Sequence, residues 1–100
     1  MTENEIISWI FLATALASQK NPAEINSISM IADGINHSVP TDKELKMSLT
    51  WLITEELVSK QNKKYILTEK GKNKYLKASE KTNILLKIWD NLNKELPFDI

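Results

Sequence analysis

The stretch YILTEKGKNKY, residues 65–75, does more than any other to restrict how this chain folds. Three residues of strand character, Tyr65, Ile66 and Leu67, stop at a Thr, and a helical pattern starts at once. Thr68 suits the N-cap position, where its hydroxyl satisfies backbone N–H groups left over at a helix start. Gly71 then costs the new helix roughly 1 kcal/mol relative to Ala. A Gly at that point predicts that another backbone passes close by. The strand finds its partner upstream: LVS (Leu57 to Ser59) and YIL (Tyr65 to Leu67) flank the polar segment KQNKK, in which Asn62 best tolerates a left-handed turn.

Four further helices are expected. Residues 5–19 are apolar on nearly every face (Ile6, Ile7, Trp9, Ile10, Phe11, Leu12, Leu16), and a helix apolar all round is buried all round. In a chain of 100 residues this predicts that part of the helix meets another chain. Asn21-Pro22 stops it, and Ala23 to Ile25 reads as a short strand. Asn26 or Ser27 is then expected to cap a second helix with Ile28, Ile31, Ala32 and Ile35 inward. Thr41 and Glu44 form a capping box for a third helix over residues 42–56, with Leu45, Ser48, Leu49 and Leu52 facing the core. On the fourth helix Tyr75, Leu76 and Ala78 are the expected buried side. The last helix runs over residues 82–95 with Ile84, Leu85, Ile88, Trp89 and Leu92 inward, and Pro97 lies beyond its end.

The order is helix, short strand, helix, turn, helix, hairpin, helix. ELKMSLTWLITEELV followed by YILTEKG resembles the "L…L..L…GLV…Y.LT..G" pattern of winged helix-turn-helix regulators of the MarR and PadR type. The likeness covers about residues 26–79, and ADGINHSVPTDKEL is similar to a segment of small bacterial winged-helix proteins. It implies a mainly α fold with a small β-hairpin (α+β), one domain over residues 1–100. The implied winged-helix core spans 22–79, with additional helices at 5–19 and 82–95 as dimerisation elements.

The resemblance also implies a function. The helix over 42–56 would enter the major groove of double-stranded DNA, and the wing at 59–65 would rest on the backbone. Carried onto this chain, the DNA-facing residues are Lys43, Lys46, Thr50 and Thr54 on the helix and Lys60, Lys63 and Lys64 on the wing. Lys reaches guanine or phosphate, and Thr reaches phosphate or a thymine methyl. Lys70, Lys72, Lys74 and Lys77 follow on the fourth helix. Met47 and Trp51 share the outward face and fit an alternative, a winged-helix module that binds a protein partner rather than DNA. Their exposure separates the two readings. The family's Gly before "LV" is Glu56 here, a residue poorly suited to positive φ. Trp9, Phe11, Trp89 and Leu92, on the two terminal helices, are the expected homodimer interface.

Charge and composition exclude much else. Net charge is zero, but residues 41–79 carry nine Lys against five acids, while residues 1–40 carry one Lys against four. All 13 basic residues are Lys. There is no Cys, so thiolate chemistry and Cys-based metal sites are excluded, and with a single His no metal or cofactor is expected. The acids sit at helix ends rather than in pairs facing a pocket, and no His is placed to activate a Ser, so no enzyme is expected. The apolar run at 6–17 is far short of the roughly 20 residues a membrane span needs, and the leader MTENE is acidic, so a cytoplasmic protein is expected.

Overall fold

A computed structural model describes residues 1–95. It contains α1 (Glu3–Ala17), α2 (Ile25–Asn36), α3 (Asp42–Thr54), β1 (Val58–Gln61), β2 (Lys64–Leu67), α4 (Glu69–Ser79) and α5 (Leu85–Glu95). Among the described residues the fold is mainly helical with one antiparallel hairpin, an α+β domain. Pro97 lies outside the described residues.

The apolar character of α1 is met within the chain. Every residue from Ile7 to Ala15 is buried, because α2, α3 and α5 pack around this helix and β2 and α4 close the remaining side. Its small polar residues tolerate this by bonding their own helix: Ser8 Oγ donates to Asn4 O at 2.8 Å and Thr14 Oγ1 to Ile10 O at 2.8 Å. Trp9 Nε1 donates to Ala32 O at 2.9 Å, and the Trp9 and Trp89 rings stack with centroids 6.1 Å apart. Trp89 Nε1 in turn donates to Glu5 O at 3.0 Å, tying the last helix to the first. At the start of α1 a Thr2–Glu5 capping box forms, and hydrogen bonds from Thr2, its backbone N–H foremost, hold the Glu5 carboxyl below its ordinary pKa.

This corrects the expected interface. Trp9, Phe11 and Leu92 are 1%, 0% and 0% exposed, so their side chains belong to the core of one chain, and only Trp89 keeps a partly exposed edge. Ala23 and Tyr65 exchange both backbone hydrogen bonds at 2.8 Å, which makes Ala23 a one-residue third strand beside β2.

Other departures are local. Helix α2 starts at Ile25 with Glu24 as N-cap and no side-chain cap bond, not at Asn26 or Ser27, because the Ala23 pairing ends one residue before the helix begins. Helix α3 ends at Thr54, two residues early. On α4 the buried stripe is Gly71, half-buried Tyr75 and Ala78, leaving Leu76 59% exposed. Helix α5 starts at Leu85, since Thr82 Oγ1 accepts from Ile84 N at 3.1 Å and holds the chain out of helix; Ile84 and Leu85 are thereby exposed. The expected inward rows of α2 and α3 are as read, Ile31 alone being half-buried; the buried Ser48 hydroxyl has no partner.

The junction that starts from Thr68 carries the wing. Thr68 Oγ1 accepts from Gly71 N at 3.0 Å and donates to Glu56 O at 2.6 Å, while Thr68 N donates to Leu57 O at 3.1 Å. A Cβ on Gly71 would stand 2.1 Å from Leu57 O, a backbone atom. Just upstream, α3 closes in a Schellman turn, with Leu57 N donating to Leu52 O at 2.9 Å and Glu56 at φ 62 in the position that favours Gly. Two opposite outcomes follow, measurable by urea unfolding. Gly71→Ala, despite its helix propensity, should destabilise by about 2–3 kcal/mol through the clash with Leu57. Glu56→Gly should stabilise by about 1 kcal/mol by relieving the left-handed strain.

Candidate nucleic-acid interface

Helix α3 is placed by its inward row, Leu45, Ser48, Leu49 and Leu52, all buried. Its opposite face is therefore fixed, and Lys43, Lys46, Thr50 and Thr54 on it are exposed. Their spacing of three, four and four residues lays them along one stripe of the helix. Met47 and Trp51 flank that stripe and are half-buried. With Glu3 and Ile7 of α1 these six residues line an open depression of about 590 Å³. Trp51 also lines a smaller cavity of about 130 Å³ with Glu55, Leu57, Lys70 and Lys74, between α3 and α4. It is thus neither a protruding anchor nor a core residue, but a wall shared by two grooves.

The wing is a tight hairpin. Gln61 pairs with Lys64, leaving Asn62 and Lys63 as the two turn residues at φ 52 and 67. Both values are positive, as in a type I′ turn, whose twist suits a two-residue hairpin. The turn is shorter than KQNKK by two residues at its start and one at its end, and the strands are each one residue longer than LVS and YIL. Lys63 and Lys64 are exposed, and neither forms an ion pair or side-chain hydrogen bond among the described residues; the same holds for Lys43 and Lys46. Lys60 lies over the Tyr65 ring, 5.7 Å from its centroid, so its stem is held against the sheet.

The lysines of α4 have structural work instead. Lys70 Nζ donates to Glu55 O at 3.1 Å, at the C-terminal end of α3 where a cation is favoured. Lys72 pairs with Glu69 at 3.8 Å and Lys77 with Glu95 at 3.5 Å. The basic cluster between Lys60 and Lys77 therefore divides, with Lys63 and Lys64 at the hairpin tip unpaired, and Lys43 and Lys46 on α3 stand apart from it as two further unpaired cations.

Two contributions escape sequence reasoning. Lys20 shares a depression of about 340 Å³ with Lys64, Asn21, Ser27 and the uncapped start of α2. The Ala23–Tyr65 pairing brings them together across more than forty positions, and the strand-like Ala23 was the available signal. Glu3 and Ile7 reach the α3 face because α1 lies beside α3. Compared with known protein families, with curated proteins and with solved structures, the chain matches none.

The hairpin supplies a test that separates stability from charge. Lys63→Gly removes one wing cation and at the same time relieves a positive φ, so it should raise stability by about 0.5–1 kcal/mol, read as a higher urea midpoint.

Proposed function

We propose that the protein is a non-enzymatic, transcription-regulator-like DNA-binding protein of the bacterial cytoplasm. One observation carries the reading: Lys43, Lys46, Thr50 and Thr54 form an exposed polar stripe on α3, the helix that precedes the hairpin. Lys63 and Lys64 at the hairpin tip add two exposed, unpaired cations, and Lys20 lines one depression with Lys64, beside Glu24. The charges suit phosphate contact, which is the sequence-independent part of DNA affinity.

A homodimer accompanies this reading. Its interface would use the start of α5, where Ile84, Leu85 and Leu86 are 52%, 38% and 60% exposed, and not α1.

A second reading has its own observation. Ile7, Met47 and Trp51 give the depression on the α3 face an apolar floor, which suits a winged-helix module that binds a protein partner.

Fluorescence anisotropy of a labelled mixed-sequence duplex separates the two. With two to four phosphate contacts per protomer, affinity should fall about tenfold to a hundredfold between about 50 and 200 mM salt. The Lys63→Glu/Lys64→Glu variant should lose most of it while unfolding at a similar urea concentration. No binding at the lower salt rejects the DNA reading in favour of the protein partner.

A further inference from the structure

We propose that α3 reads duplex DNA through the C5-methyl groups of pyrimidines in the major groove, an inference that rests on the DNA-binding reading above. The side chains available on α3 lead to it. Sequence is usually read by hydrogen bonding to base edges, Arg or Lys to guanine and Asn or Gln to adenine. Helix α3 is DKELKMSLTWLIT, with no Arg, Asn or Gln, so its donors of that kind are Lys43 and Lys46, point charges without the planar fork of Arg. Glu44, an acid of the type that accepts from cytosine, has a carboxylate oxygen engaged by Thr41 N at 2.9 Å in the capping box.

What faces the depression is of a different kind. Met47, Trp51 and Ile7 present apolar surface. Thr54 Oγ1 already donates to Thr50 O at 2.9 Å, so Thr54 has no hydroxyl proton to give a base and offers its methyl group beside an accepting oxygen. Lys43 and Lys46 line the same depression and are exposed. Their two charges outnumber the one carboxylate on the depression, Glu3, and complement the phosphates that border a groove, which points to a polyanion with an apolar feature between its charges. In the major groove that feature is the pyrimidine C5-methyl, carried by thymine and matched by apolar side chains and Thr methyls. 5-Methylcytosine displays the same group at the same ring position, so the chemistry is shared by two bases.

The test replaces single atoms of the ligand rather than parts of the protein. One AT-rich duplex is prepared with thymine and again with deoxyuridine, which lacks only the methyl. One GC-rich duplex is prepared with cytosine and again with 5-methylcytosine. Anisotropy at about 50 mM salt should show about a fourfold loss for each buried methyl removed, and an equal gain for each added, from the transfer of one apolar carbon out of water. Loss with deoxyuridine assigns the reading to thymine, and gain in the GC duplex alone assigns it to 5-methylcytosine. Salt dependence should stay the same within each pair, since the phosphates are unchanged. Met47→Ala should bring the methyl-to-unmethylated ratio towards one with the salt dependence intact, and Met47→Leu should keep the ratio, which a purely structural role for Met47 would not produce. Equal affinities across both pairs, with salt-dependent binding retained, overturn the methyl reading and leave DNA binding standing. Absence of binding to every duplex overturns the DNA reading itself and leaves the apolar floor to a protein partner.

Discussion

The contact of α4 with the α3–β1 junction is the constraint on which the wing depends. Thr68 accepts from Gly71 N, donates to Glu56 O and sends its own N–H to Leu57 O, so one residue joins three elements. Gly71 is the consequence: with Leu57 O 2.1 Å from where its Cβ would be, no other residue lets the helix lie this close to the junction. The benefit appears on the far side. Leu57 and Val58 enter the core at 2% exposure each, which fixes β1, and the register Val58 to Leu67 then fixes β2 and the tip that carries Lys63 and Lys64. A small hairpin of this kind is marginal by itself, and here a helix and the Ala23 pairing hold it from both ends.

The second organising fact is that α1 is a core helix. An all-round apolar helix in a short chain suggested a partner, on the reasoning that a surface helix has one apolar stripe. The premise that failed was its position. With α2, α3 and α5 around it and its small hydroxyl residues bonded to their own backbone, nothing of α1 between Ser8 and Ala15 is left for another chain, and Ile7 shows only an edge in the α3 depression. Unburied apolar side chains stand elsewhere, Ile84 to Leu86 at the entry to α5 among them. The burial expected of α1 is met inside the chain, because periodicity reports that a face is buried and says nothing of what buries it.

Much of the fold was legible because its signals are local. The Thr41–Glu44 capping box, the Thr68 cap, the Leu45–Leu49–Leu52 row and the meaning of Gly71 each follow from a few neighbouring residues, and each has its counterpart in the structure. The candidate interface was legible in part. Helical spacing alone places Lys43, Lys46, Thr50 and Thr54 on one face. What spacing leaves open is set by long-range packing: Ile7 and Glu3 beside α3, Lys20 beside Lys64, and the half-burial of Trp51 between two grooves. The same limit explains Leu76 and Ile84, which carry apolar side chains at positions that no neighbouring element covers.

The division of the lysines bears most directly on function. Seven of them between Lys60 and Lys77 look like one basic patch in the sequence, yet Lys70, Lys72 and Lys77 are engaged with Glu55, Glu69 and Glu95. Exposed pairs of this sort add little stability, but they lower the field that α4 can project. With net charge zero, no broad positive potential is available to draw in a polyanion from a distance. Any affinity for DNA must then come from short-range contacts at the wing tip and along α3. On α3 those contacts are two lysines, two threonines and an apolar floor, which is why the same face supports a reader of methyl groups better than a reader of hydrogen-bond patterns.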